Sequence, residues 1–216
     1  MGIVLILASG LWGESADARS MAERADFVIA ADGGYAKALA ARVPVNMVVG
    51  DLDSLDDASL RTLAGSSVDV RRHPADKDWS DLELAIDEAL KRAPEKITIL
   101  GALGIRIDHA LTNVHLLERG LDVGVPIELA DGTESVTLTK GRCELADARV
   151  GDRVSLVPLS ESVRVSTTGL RFALYEDVLY RGASRGVSNL IDDVPAVVSV
   201  SSGRLLVIHA RTGARP

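Results

Sequence analysis

The feature that most constrains this chain is an alternation. Over roughly the first 130 residues, short and nearly pure apolar runs take turns with longer segments of helical period. The runs at 2–8 (GIVLILA), 27–31 (FVIAA), 45–49 (VNMVV), 68–71 (VDVR), 97–100 (ITIL) and 127–130 (IELA) read as strands. The purely apolar ones suit a parallel sheet covered on both faces. Between them, 16–25, 36–42, 56–63, 81–93 and 110–119 read as helices. In the fourth, Leu82, Ala85, Ile86, Ala89, Leu90 and Ala93 form one apolar stripe, and Gly120 is the expected C-cap of the fifth. Strands alternating with helices predict a doubly wound α/β domain with a mainly parallel sheet.

The pattern changes near Gly132. The segments 134–139, 153–157, 163–166, 196–200 and 204–208 are short and β-branched, and Gly, Ser or Pro separates them. They predict a small antiparallel β-sandwich. The expected division is therefore 1–131 for the α/β domain and 132–216 for the sandwich.

Composition removes several function classes. With 47% hydrophobic and 25% charged residues the chain has a globular composition. A formal net charge of −7 argues against a general nucleic-acid binder, and 3% aromatics against a base-stacking platform. The longest uncharged stretch, 1–13, is too short to span a bilayer and lacks the basic flank of a signal peptide. A cytoplasmic location without membrane partners is expected. The lone Cys143 leaves neither an internal disulfide nor a cysteine-based zinc site.

The acids are unevenly split, 20 Asp against 11 Glu, and eight of the Asp lie between Asp51 and Asp81. Asp competes with its own backbone inside helices, so the surplus points to loops, caps or metal ligands. The polar clusters follow strands. Asp32-Gly33-Gly34 follows the second, Gly50-Asp51-Leu52-Asp53-Ser54 the third, Lys77-Asp78-Trp79-Ser80-Asp81 the fourth, and 101–109, with Arg106, Asp108 and His109, the fifth. In a parallel sheet all these turns lie at the carboxyl edge, where ligands bind. Two carboxylates about 4 Å apart repel by roughly 4 kcal/mol near a surface, which a divalent ion relieves. Carboxylate oxygens suit the hard ions Mg²⁺ or Ca²⁺. Metal, Lys77, Arg106 and glycines together suit a polyphosphate.

Each cluster also has a purely structural reading. Asp53 or Ser54 caps the third helix, Ser80 with Glu83 forms a capping box, and Asp108 caps its own helix. His109 and Asn113 share a helix face. No G-x-x-x-x-G-K-[ST] loop is present, the His73, His109 and His115 spacing fits no standard zinc site, and Ser184 lies in the β region rather than at a nucleophile elbow.

Seven blocks in order carry a family resemblance: ADGGY at 31–35, VVGDLDSL at 48–55, KDWSDLELA at 77–85, GALGIRIDHALTN at 101–113, SLVPL at 155–159, TGLRF at 168–172 and SRGVSN at 184–189. Over essentially its whole length the chain resembles the bacterial thiamine pyrophosphokinase (thiamine diphosphokinase) family. The resemblance implies a nucleotide-binding catalytic α/β domain, then a β-sandwich domain for thiamine binding and dimerisation, in a homodimer. It implies transfer of the diphosphate of ATP to the hydroxyl of thiamine, giving thiamine diphosphate and AMP. Carried over residue by residue, Asp51, Asp53 and Asp78 are expected to hold Mg²⁺. Asp81, Arg106 and Asp108 complete the catalytic set, and Asp32, Gly33, Lys77, Arg106, His109 and Asn113 face ATP. Ser188 and Asn189 are expected to meet thiamine. Three positions depart from the family pattern: Ile105 replaces a glycine, Ser80 a threonine, and Ser9-Gly10 stands for an early Gly-Gly. The alternatives are a related diphosphotransferase on a pterin-like alcohol, a metal-dependent phosphohydrolase, and a non-catalytic thiamine or nucleotide sensor.

Overall fold

In a computed structural model the described residues are 2–13, 17–104 and 106–212. Ile105 and Ala16 therefore lie outside the described residues. The chain divides into two compact units, Met1–Gly132 and Thr133–Pro216.

Among the described residues the first unit holds six parallel strands: β1 (Ile3–Leu7), β2 (Phe27–Ala31), β3 (Met47–Gly50), β4 (Asp69–Arg72), β5 (Lys96–Leu100) and β6 (Ile127–Ala130). Their order is β6-β5-β1-β2-β3-β4. The chain winds outward from β1 to β4, then returns to the other side of β1. Neighbouring β1 and β5 thus form the topological switch point, whose carboxyl ends open a crevice. Alternation along the strands sorts the core. Leu5, Leu7 and Val28 pack with Ala18 and Ala22 of α1 (Ala18–Glu23) and Ala38 of α2 (Gly34–Ala40). Ala30 and Val48 pack with Tyr35 of α2 and Leu63 of α3 (Asp57–Ala64). Val4, Ile6, Ile29 and Met47 are left for the opposite face, and α4 (Asp81–Leu90) crosses β1, β2 and β3. It buries Leu82, Ala85, Ile86 and Ala89, most of the expected stripe. Ala93 falls outside α4, with a positive φ of 47°.

One helix expectation needs correction. The segment read as 110–119 is two helices, α5 (Ile107–Leu116) and α6 (Glu118–Val123). Gly120 lies buried within α6, and the left-handed C-cap is Gly124, at φ 78°.

The second unit is antiparallel. One sheet orders β12 (Asn189–Leu190), β9 (Arg153–Pro158), β14 (Leu205–Ala210) and β7 (Glu134–Thr139). The other orders β11 (Asp177–Tyr180), β10 (Ser162–Thr168), β13 (Val197–Ser202) and β8 (Arg142–Glu144). Val154, Leu156, Leu205 and Val207 from the first sheet share a core with Val163, Val165, Leu179 and Val198 from the second. That is the expected sandwich, with β8, β11 and β12 added to the strands legible in the sequence. Among the described residues no helix is long and apolar enough to cross a membrane.

Candidate active site

The switch point is where the polar turns meet. A cavity of about 410 Å³ is lined by residues 8–10 after β1, 31–32 at the end of β2, 101–104 after β5, 80–82 at the start of α4, Arg106 just before α5, and His109 and Asn113 of α5. Backbone bonds close its floor: Ala8 N–H donates to Leu100 O at 2.8 Å and Gly10 N–H to Gly101 O at 2.9 Å. A Cβ at position 10 would lie 2.3 Å from Gly101 O, so the two loops can meet only with glycine there. In the Ser9-Gly10 departure, the position that needs glycine keeps it. The indole N–H of Trp12 donates back to Ala8 O at 3.0 Å.

Asp32 is 9% exposed and takes a left-handed backbone at φ 44°. Its N–H donates to Val49 O at 2.8 Å, which fixes it beside the loop after β3. Gly50, at φ 147°, completes the approach, because a Cβ there would lie 3.0 Å from Asp32 Cβ and 3.1 Å from Asp81 Oδ1. Carboxylate oxygens of Asp32, Asp51 and Asp53 consequently lie within 4.8 Å of one another. Asp32 Oδ1 is buried and has no hydrogen-bond partner among the described residues. Three converging carboxylates with one unpartnered oxygen fit a hard divalent cation.

Lys77 sits against this group. Its Nζ lies 3.1 Å from Asp51 Oδ2 and 3.0 Å from Asp81 Oδ1, with 9% of the side chain exposed. The Asp53 N–H and then Lys77 hold the Asp51 carboxyl below its usual range, against burial. Burial pushes Asp81 up, and the charges of Asp32 and Asp51 add to that, while Lys77 opposes it. Burial is also the strongest single influence on Lys77 and pulls it down, yet the bonds to Asp81 and Asp51 together raise it.

The structural readings now separate. The cap of α3 is Asp56, which accepts from Ser59 N–H at 2.8 Å, so Asp53 and Ser54 have no capping duty. Ser80 caps α4 by accepting from Glu83 N–H at 3.2 Å. The reciprocal half of that box is missing, because Glu83 pairs with Arg119 at 2.9 Å instead. Asp108 is not the N-cap of α5, a place held by Arg106. It forms an exposed two-bond pair with Arg106, at 3.2 and 2.5 Å. Arg106 lowers the Asp108 carboxyl to about 2.

Of the other expected residues, His109 and Asn113 both line the cavity, and Asn113 Nδ2 donates to Ala102 O at 2.8 Å. Gly33 is the N-cap of α2, with Ser9 and Ser54 packed against it. Asp78 is exposed and is not among the clustered carboxylates. In the second unit Asn189 is 5% exposed and both ends of its amide bond to the main chain. Its Oδ1 accepts from Phe172 N–H and Leu190 N–H, and its Nδ2 donates to Phe172 O. Ser188 is exposed, at φ 61°, and its N–H donates to Ser155 Oγ. Sequence reasoning put Asp32 on the nucleotide side of the same metal–phosphate site and named Asp51, Asp53 and Asp78 as the metal ligands. The available signal for Asp32 was its position directly after β2, on the edge that carries the DLD turn.

An open parallel sheet whose polar turns gather at the carboxyl edge, with a cavity at its switch point, defines a class: a doubly wound α/β protein with a ligand site at that edge. Known proteins sharpen this. Residues 18–129 match the family model for the thiamin pyrophosphokinase catalytic domain, and 142–205 that for its vitamin B1 binding domain. Thiamine pyrophosphokinase of Bacillus subtilis is 29% identical over 170 residues, covering 78% of this chain and 79% of that protein. The crystal structure of thiamin pyrophosphokinase from Geobacillus thermodenitrificans superposes with a TM-score of 0.85 at 29% identity, covering 98% of this chain and 99% of that one. The yeast thiamin pyrophosphokinase structure, at 14% identity and a TM-score of 0.78, covers 97% of this chain and 86% of its own, and shows the shared fold. The chain belongs to the thiamin pyrophosphokinase family, and its activity is that of a transferase, thiamine pyrophosphokinase.

Proposed function

We propose that the chain transfers the β,γ-diphosphate of ATP to the hydroxyl of thiamine at the crevice between β1 and β5. The observation that carries this reading is the convergence of Asp32, Asp51 and Asp53 beside a cavity, with the little-exposed Lys77 side chain paired to Asp51. The thiamine oxygen forms a bond to the β-phosphorus as the bond from that phosphorus to the α,β-bridging oxygen breaks. AMP leaves with that oxygen, and the hydroxyl proton passes to a carboxylate or to water. Asp32, Asp51 and Asp53 would hold Mg²⁺, which when bound offsets charge on the phosphates. Lys77 and Arg106 supply further positive charge, and His109 and Asn113 shape the nucleotide end of the cavity. Ser188 and the loop that Asn189 braces are assigned to thiamine. The same reading makes the α/β domain the nucleotide-binding catalytic unit and the sandwich the thiamine-binding and dimerising one. The working form is a cytoplasmic homodimer. Catalysis is by positioning and electrostatics.

The test is incubation with ATP, Mg²⁺ and thiamine, with identification of every product. AMP and thiamine diphosphate in equal amounts are expected. ADP, or free phosphate released without an acceptor, would overturn the reading in favour of another phosphotransferase or a hydrolase.

A further inference from the structure

Asp51 belongs to two groups at once. One of its oxygens lies within 4.8 Å of one oxygen each from Asp32 and Asp53, in the set fitted to a divalent ion. Its Oδ2 also lies 3.1 Å from Lys77 Nζ, and that same ammonium reaches Asp81 at 3.0 Å. We propose that Lys77 is a resident counter-cation that competes with the divalent ion for Asp51 and turns to the phosphates when nucleotide arrives, so that metal binding and nucleotide binding are coupled through one side chain. This rests on the metal–phosphate reading of the site.

The argument is one of charge and reach. An ammonium in contact with Asp51 repels a divalent ion seeking the same carboxylate, and the low exposure of Lys77 keeps water from screening that repulsion. The lysine head is a compact charge on a flexible four-carbon stem, so it can exchange one anionic partner for another without moving the backbone. A polyphosphate entering the neighbouring cavity offers that second partner. Once Lys77 turns to it, Asp51 is released to the ion. By linkage the effect is reciprocal: the ion, by displacing Lys77, prepares the site for phosphate. A lysine serving only as structural glue would have the opposite signature, because its removal would loosen the carboxylates and weaken the metal site.

The test measures binding of Mn²⁺ to the full chain by equilibrium dialysis across a membrane that the analogue crosses and the protein does not, with and without α,β-methylene ATP, so that Mn²⁺ held by the nucleotide alone is the same on both sides and only protein-bound Mn²⁺ is counted. Wild type should bind Mn²⁺ weakly alone and far more tightly with the analogue. Lys77→Met should bind Mn²⁺ alone about tenfold more tightly than wild type, and the enhancement by the analogue should shrink by a similar factor. Lys77→Gln, which retains a hydrogen-bond donor for Asp51 and Asp81 while losing the charge, should show the same tightening and guards against a folding defect in the first variant. Lys77→Arg should behave as wild type. Equal or weaker Mn²⁺ binding by a folded Met or Gln variant would overturn the role of Lys77 alone. Wild type that binds no Mn²⁺, with or without the analogue, would overturn the metal reading and this inference with it.

Discussion

The carboxylate site of the first unit and the buried Asp152 of the second are built on opposite plans. In the second unit Asp152 is 2% exposed and meets donors on both oxygens: Arg149 N–H and His209 Nε2 at Oδ2, and Thr212 N–H and Oγ1 at Oδ1. In the first unit Asp51 lies with Asp32 and Asp53 and shares one ammonium, Lys77, with Asp81, while Asp32 Oδ1 has no partner among the described residues. A charge kept for stability is surrounded by its own donors. A set kept for a ligand is left short of them, and the deficit is what the ligand supplies.

The comparison breaks if removing a charge from the first unit's site costs stability rather than turnover. Asp51→Asn keeps the shape and removes one negative charge from a crowded site. Turnover should fall by about 10²–10³-fold while melting stays close to wild type. Rates of thiamine diphosphate formation at saturating and limiting Mg²⁺, read beside a thermal melt, check this. Wild-type rates at both concentrations would remove Asp51 from the metal site.

The complementary change, Asp152→Ala, should do the reverse. It strands the buried His209 ring and takes the acceptor from the part-buried N–H groups of Arg149 and Thr212, at a cost of about 3 kcal/mol. Melting should drop on the order of 10 °C. The Asp152 carboxyl is held below its usual value: burial, the largest influence, raises it, but the bonds from Thr212, His209 and Arg149 outweigh burial. Its stabilisation is therefore present above the unfolded value of about 3.9 and is lost as the pH falls through the lower folded value. The gap in melting temperature between wild type and variant should accordingly be full at neutral pH and close only in acid. A gap that stays constant down to about pH 2 would show that the charge of Asp152 is not what stabilises the unit.

The same contrast explains what the sequence could and could not reveal. The alternating α/β pattern was legible because buried strands and the α4 stripe have distinct periods, and the common edge of the polar turns followed from it, since every turn after a parallel strand lies at one edge. The break between α5 and α6 was not legible. Leu117 continues the apolar pattern, and a glycine three residues on imitates a cap. Strands β8, β11 and β12 have three, four and two residues, too short to show a period. Which carboxylates meet was hidden as well. Asp32 joins Asp51 and Asp53 through its left-handed backbone and the missing Cβ of Gly50, whereas Asp78, next to Lys77 in sequence, stays exposed. Asn189 could be singled out by its polarity, but its bonds to Phe172 depend on a loop 17 residues away.

Asp108 sharpens the comparison at its weakest end, because it is neither buried with donors nor crowded with other acids. Its side chain is 61% exposed and its partner Arg106 is 64% exposed. An exposed pair of this kind contributes little to folding, so Asp108→Asn should melt as wild type does. Its effect belongs to positioning. The two bonds from Arg106 to Asp108 aim a guanidinium that lines the cavity, and loosening them should raise the KM for ATP on the order of threefold with kcat nearly constant. With its carboxyl lowered to about 2, Asp108 stays charged throughout the working range, so the wild-type pH profile should carry no step from it above about pH 4. Steady-state kinetics against ATP at several pH values check both points. An unchanged KM would place Arg106 away from the phosphates, and a fall in melting temperature would mean that this surface pair holds the start of α5.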